Sequence, residues 1–401
     1  MIDYDPFSDA VMHDPWPVYA QLRREAPVFY HEKYDTWFLS RFEDIWQSTT
    51  RDVFTAERGV TPEMVLLKSA PPPEPVFSML DLPQQRDYRR MLAPPYTRNA
   101  IARSEAQVRN HVRQLLEPLA ARGRFDAARE LATPLATRVI AELIGLPDEE
   151  AATMRAQVAQ FFARQPGQVG TTPENEAARL ALLTRIAELV SARTDDDDRS
   201  RDDHISVLLR TPAEGRPLSL GAVVAAVFTL LVTGAEVVPL SVANTLFYLW
   251  SHPDQRRELT AQPELIPHAY AESLRYDQPT NLLGRFVKDP VEIRGHQLQP
   301  GAGVMFLWAS GNRDEIEFER ADEFDIARRP RRSLSFGHGA HKCIGEHLGL
   351  LEGRVLLEEI LALAPDYEVD TGRARRAYSE FLHGYDQLPI EFDAARATPS
   401  A

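Results

Sequence analysis

Cysteine is almost missing from this chain: Cys343 stands alone among 401 residues. No internal disulfide is possible, so a packed core and not cross-links must hold the fold, and the usage fits a reducing compartment. No second thiol is available for a zinc cage or an iron–sulfur cluster. Basic charge is also short. Lys and Arg number 45 against 59 Asp and Glu, a net charge of -14, which argues against a nucleic-acid partner. The opening residues Met1-Ile2-Asp3-Tyr4-Asp5 lack a basic and then apolar leader, so the expectation is a cytoplasmic chain with no signal peptide or membrane anchor. Long apolar runs are few, yet apolar residues reach 44%, enough for a large core in one large domain or two ordinary ones.

The longest apolar tract is 221–250. As one helix its thirty residues would span about 45 Å. Glu236, Pro239 and Asn244 interrupt it, and its longest clean run falls short of the roughly 20 residues of a membrane span. The spacing therefore predicts a central buried helix over about 219–250, with Ser219 as N-cap. Upstream, Val28-Phe29-Tyr30 and Thr36-Trp37-Phe38-Leu39 read as a hairpin, followed by a helix from Arg41. Residues 55–80 hold Pro71-Pro72-Pro73 and Pro75 and read as an irregular loop. Residues 100–190 read as amphipathic helices with Ile140, Leu143, Ile144 and Leu146 as core. Thr194-Asp195-Asp196-Asp197-Asp198-Arg199 reads as a solvated loop, since it lacks the turn and converging ligands of a cation site.

A lone cysteine is most simply a small buried apolar residue. The surroundings of Cys343 argue otherwise. It lies in Phe336-Gly337-His338-Gly339-Ala340-His341-Lys342-Cys343-Ile344-Gly345, where three glycines allow sharp turns and close approach. Ile344, Leu348, Leu351 and Val355 then mark one face of a helix, over about 344–360. Cys343 thus stands where a glycine-rich loop enters a helix, whose free N–H groups favour a thiolate. A single axial thiolate on haem iron fits that setting.

The run matches Phe-x-x-Gly-x-His-x-Cys-x-Gly and so resembles the haem-binding loop of the cytochrome P-450 superfamily, of the soluble bacterial type. The resemblance implies a mainly α fold with small β-sheets, an α-rich triangular prism, as a single haem domain over 1–401 with no fused reductase. It implies haem b with Cys343 as the metal ligand, Phe336 packed near the sulfur, Gly345 just beyond it and His341 toward a propionate. Gln85 and Arg89, one helical turn apart, occupy the positions of a propionate-binding His and Arg. Arg285 in Asn281-Leu282-Leu283-Gly284-Arg285-Phe286 would reach a propionate. Glu272-Ser273-Leu274-Arg275, 71 residues before Cys343 (343 minus 272), resembles the family's buried Glu-x-x-Arg pair. Gly311-Asn312-Arg313-Asp314 follows the family pattern as well.

The same resemblance makes the loop at 55–80 and the helices at 155–190 the covers of a substrate pocket. Pocket candidates are Val65, Leu66, Leu67, Val76 and Phe77 in the loop, and Phe228, Leu231 and Val232 on the long helix. Asn281, Leu282 and Leu283 join them, with Phe381, Leu382 and His383 near the C-terminus. His383 reads equally as a substrate contact or an exposed turn residue.

The chain departs from the pattern at the distal helix. Where the family carries Ala/Gly-Gly-x-Asp/Glu-Thr, this sequence has Thr233-Gly234-Ala235-Glu236-Val237. The acid is kept, and Val237 replaces the alcohol. Pro239 cannot donate to the Ala235 carbonyl, so a kink and a held water are expected. Glu236, Thr233 and ordered water would then move protons. The leading reading is a monooxygenase of hydrophobic small molecules such as terpenoids, steroids or fatty acids. NAD(P)H would supply it through a reductase and an iron–sulfur ferredoxin docking near Arg331, Arg332 and Lys342. The runner-up is a peroxide-driven peroxygenase or an oxidative coupling or rearrangement enzyme. A haem-based sensor without turnover is a third reading. The chain is expected to be a monomer.

Overall fold

The computed structural model describes residues 2–74, 76–194, 201–213 and 215–395; the carboxylate run Asp195–Asp198 lies outside them. Helices dominate. Those that build the site are α1 (Phe42–Ser48), α2 (Gln84–Leu92), α3 (Arg98–Ala120), α4 (Thr133–Ile144), α5 (Asp148–Phe162), α6 (Pro173–Thr194), α7 (Leu220–Ser251), α8 (Ile266–Tyr276) and α9 (Glu346–Leu363). The main sheet joins β1 (Val28–His31), β2 (Thr36–Leu39), β3 (Phe54–Thr55), β4 (Leu283–Val287) and β5 (Gly303–Phe306) in the order β1-β2-β5-β4-β3. The predicted hairpin pairs Val28 with Leu39 and His31 with Thr36. β2 and β5 run parallel, while β4 is antiparallel to β5.

α7 is the axis. The Ser219 hydroxyl accepts from the Ala222 amide at 3.0 Å, capping the helix as expected. Its first half, Val223 to Ala235, packs with α4, α5 and α6 in one apolar cluster; its second half, Val238 to Leu249, packs with α3, α8 and α9 in another. It is apolar and long enough to cross a membrane by composition, but 78% of its most apolar window is buried by the rest of the chain. Burying each Val or Leu contributes about 1.5–3 kcal/mol, so one helix serving two cores sets the geometry of both. Close approach to α4 requires Gly234, where a Cβ would stand 2.6 Å from Ile140 Cγ1. Pro239 lies inside the helix, which continues through it to Ser251. It is itself buried between the buried Val238 and Leu240, and packing on both sides offsets the lost hydrogen bond. The Ala235 carbonyl still has no N–H four residues on.

Glu272 and Arg275 on α8 are fully buried and form a two-pronged pair, Nε to Oε2 and Nη2 to Oε1, both 2.8 Å. Arg275 also donates to the carbonyls of Asn312, Ala321 and Glu323, and Glu272 accepts from the Asp325 amide and Arg328. Every polar group of the pair is used, which is what makes a buried ion pair tolerable. Asn312 in turn accepts from the Leu334 amide and donates to Ser335, fixing the chain just before the Cys343 loop.

Candidate active site

A cavity of about 1520 Å³ is lined by α7 on one side and by the Cys343 loop and α9 on the other. Ordinary ligand pockets hold about 300–1,000 Å³, so this one has room for more than a single small molecule. The loop is closed by the Cys343 amide, which donates to the Phe336 carbonyl at 2.8 Å. Gly339 has φ +74, and a Cβ there would meet the Thr49 carbonyl oxygen of the chain following α1 at 2.2 Å; only glycine fits. Gly345 caps α9, whose Leu348, Leu351 and Val355 are buried as the spacing predicted. Cys343 is exposed only into the cavity. Burial pushes its thiol above the ordinary 9.0, while the Gly345 N–H and the charges of Arg89 and Lys342 oppose the rise.

One edge of the cavity is cationic. Arg89 on α2 donates to the Lys342 carbonyl at 2.7 Å, and Gln85, one turn earlier, donates to the Ala340 carbonyl at 2.7 Å. Arg285 on β4 donates to the Gly284 carbonyl at 2.7 Å, and burial pulls its guanidinium down to about 10, with Asp81 opposing. His341 is held down at about 4 by burial and then by Arg285 and Arg89. Among the described residues neither Arg89 nor Arg285 has a carboxylate within ion-pair distance. Two buried-side cations thus face a cavity without anionic partners.

The opposite wall is α7. Gly221, Val224, Ala225, Phe228, Thr229, Val232, Thr233, Glu236 and Val237 line the cavity at helical spacing. Burial, and then the charge of Asp386, push the Glu236 carboxyl up to about 7. Thr233 donates its hydroxyl proton to the Thr229 carbonyl at 2.7 Å. Val237 presents only methyl groups.

This geometry has relatives. The cytochrome P450 family profile matches residues 261–363. Putative cytochrome P450 123 of Mycobacterium tuberculosis is 31% identical over 393 residues, 97% of each chain. Cytochrome P450 130 of the same organism is 32% identical over 375 residues, 90% of each. The crystal structure of CalO2 superposes with a TM-score of 0.85 at 27% identity, covering 98% of this chain and 100% of that one. The chain belongs to the cytochrome P450 family. It is a bacterial-type P450 monooxygenase, and the family's prosthetic group is haem.

The residues present fit that group. The one thiol opens into a cavity of more than ordinary volume, and the two arginines without carboxylate partners match the bidentate needs of propionates. Cys343 would ligate the iron, and Arg89, Arg285, His341 and Gln85 would hold the propionates. Phe336 and Gly345 line the thiol's side.

The pocket expectations divide. Val76, Phe77, Phe228, Val232, Leu283, Phe381 and Leu382 line the cavity. Leu231 does not: it is fully buried on the face of α7 turned to the core. Asn281 and Leu282 do not either. Asn281 accepts from Tyr19 Oη at 2.9 Å and donates to the Glu380 carbonyl at 3.0 Å, and Leu282 packs in a separate apolar cluster. Strand alternation turns Leu283 and Arg285 to the cavity instead. Val65 and Leu66 are core, and Leu67 is exposed at the surface. His383 is neither a pocket residue nor an exposed one. It is buried against Asp277, 2.7 Å from Nδ1, and beside Arg376.

Several lining residues carried no signal in the sequence. Phe161 and Phe162 at the end of α5 meet Phe228 and Phe381, with centroids 5.5 and 6.3 Å apart. Tyr96, Glu63 and Arg164 also line the cavity. Glu352 on α9 is a buried carboxyl that burial alone drives well above its ordinary value. An acid on the buried face of a helix, between Leu351 and Val355, was the one available hint.

The basic run before the Cys343 loop is mostly engaged. Arg328 bonds Glu272 and nearby carbonyls, and Arg329 bonds the Ile326 and Arg328 carbonyls. Arg332 pairs with Glu43 and Glu317, and Lys342 with Glu346 at 2.5 Å. Arg331 is exposed.

Proposed function

We propose that this P450 inserts one oxygen atom of O2 into a hydrophobic small molecule of terpenoid, steroid or fatty-acid size, in the cytoplasm. A separate ferredoxin, itself reduced by NAD(P)H through a reductase, brings the electrons. One observation carries the reading: a single large cavity is bounded by the Cys343 thiol on one wall and by the titratable Glu236 on the other, with phenylalanines between.

When bound, haem supplies the oxygen-activating chemistry, and thiolate ligation favours O–O cleavage. The chain's own residues supply the rest. Arg89 and Arg285 neutralise and orient the propionates. Phe77, Phe161, Phe228 and Phe381 exclude water and hold an apolar substrate. Glu236, at about 7, can hold or release a proton near neutral pH, where a general acid is most useful. The Thr233 oxygen keeps a lone pair to accept from a water, although its proton is committed. Arg331, with Lys342 and the partly exposed Arg332, would steer an acidic ferredoxin. This patch is weaker than the sequence implied, because Arg332 and Lys342 carry their own carboxylates.

Val237 favours a second reading, peroxide-driven turnover or an oxidative coupling, because the usual alcohol is absent. Reconstitution decides. The holoprotein is supplied with ferredoxin, reductase and NADPH, or with hydrogen peroxide alone, and an apolar ligand panel is screened by the Soret shift. Product with the electron-transfer chain supports the first reading; product with peroxide alone supports the second. If Val237→Thr greatly raises product formed per electron consumed, the wild-type relay is deficient and the role given to Glu236 fails.

A further inference from the structure

Three separate segments cover the cavity, and one side chain ties them together. Arg164 begins the linker 163–172 between α5 and α6. Its Nε lies 3.2 Å from both carboxylate oxygens of Glu380, and its Nη2 lies 3.1 Å from Glu380 Oε1. The same Nη2 donates to Glu63 Oε1. Nη1 turns back to the Phe162 and Ala163 carbonyls. The Arg164 side chain is 5% exposed, Glu63 15% and Glu380 0%, so the group is shielded from solvent screening.

Its two anchors are fixed. Glu380 is held through its carbonyl by Asn281, which is itself held by Tyr19. Glu63 sits on a short helix, Pro62–Val65, whose Val65 is fully buried. The linker is different. Both its ends are clamped, by Asn175 donating to the Gln160 and Ala163 carbonyls and accepting from the Thr172 amide. Its middle carries Gly167 and Gly170 at positive φ and the exposed Val169; Gly170 is buried beside Leu67, and the Gly167 amide bonds the Tyr378 hydroxyl. Beside the charges, Phe162 stacks on Phe381. Arg164 and Glu63 both line the cavity.

We propose that Arg164 is the latch of the substrate cavity: ligand passes when residues 163–172 part from Glu63 and Glu380, and the strength of this triad sets the rate. Arg164 positions the cover and takes no part in the chemistry. The inference rests on the reading that this cavity takes the substrate.

The test uses haem-loaded protein and 4-phenylimidazole, an apolar probe that shifts the Soret band. Stopped-flow association and dissociation are measured for wild type, Arg164→Met and Glu63→Gln. Removing one partner of a shielded pair is a large perturbation, so Arg164→Met should raise both rates by about tenfold with the Kd moved less than about threefold. Glu63→Gln, which leaves the Arg164–Glu380 pair intact, should raise both by about threefold. Amide exchange of 163–172 without probe should quicken in both variants. Unchanged rates and exchange in Glu63→Gln would overturn the latch, even if Arg164→Met failed to fold. A change in Kd through dissociation alone would overturn it too, assigning the triad to ligand contact. The ferrous–carbon monoxide band of the same samples reports the thiolate separately, so losing that band would count against Cys343 and not against the latch.

Discussion

Replacing Glu236 by glutamine tests the distal side most sharply, because the side chain keeps its shape and loses only its charge. The carboxyl titrates at about 7 in the folded protein against 4.5 when free, through burial first and Asp386 second. A raised acid stabilises the fold fully below its unfolded value and loses that contribution as pH rises through the folded one. Wild type and variant should therefore be equally stable near pH 4.5. Between pH 4.5 and about 7 wild type should fall behind, and above that the gap should stay constant. At 1.36 kcal/mol per pH unit, the difference between 4.5 and about 7 corresponds to roughly 3 kcal/mol in favour of Glu236→Gln. Urea unfolding followed by tryptophan fluorescence at pH 5 and pH 8.5 reads it. Infrared difference spectra should show a protonated carboxyl band in wild type that disappears with a midpoint near 7. A midpoint near 4.5, or equal stabilities at pH 8.5, would refute the buried acid. Turnover should fall about 10²-fold or more, as removal of a general acid does.

Glu272→Gln should lower stability by about 3–5 kcal/mol, because Arg275 would keep a buried charge without its counterion; urea midpoints measure this. Arg285→Met should speed transfer of haem to an acceptor such as apomyoglobin by about tenfold, through loss of one charge-assisted bond. Gly339→Ala meets both a left-handed backbone cost of about 1–2 kcal/mol and the Thr49 carbonyl. The Soret-to-280 nm absorbance ratio of purified protein should fall.

What the sequence made legible was whatever depends on local pattern. Ser219, Leu348, Leu351 and the hairpin at Val28–Leu39 are set by spacing and end chemistry, and each falls where spacing put it. Glu272 and Arg275 were legible as a pair because three residues bring them to one face. The failures share another cause. Leu231 differs from Val232 by one position, yet α7 is apolar all round, so periodicity could not say which face met a cavity and which met the core packed with α4, α5 and α6. The resemblance puts Asn281 in the pocket, and His383 reads equally as a substrate contact or an exposed turn residue. Both are committed elsewhere, Asn281 to Tyr19 and Glu380 and His383 to Asp277, by contacts spanning 99 to 262 residues of chain. Arg164 is a product of three distant segments, and no local pattern marks it.

In the proposed relay Val237 need not disable this P450. A threonine in that place would offer a hydroxyl, but the nearby Thr233 shows where such a group goes on an apolar helix: its proton bonds the carbonyl four residues back. Pro239 cannot donate to the Ala235 carbonyl, one residue from Glu236. Glu236 is kept close to neutral titration by burial first and by Asp386 second; the Asp386 Oδ2 pairs with Arg129 at the surface while its Oδ1 is buried without a hydrogen bond. The proposed relay thus has a proton donor whose strength is set by burial and then by the charge of Asp386.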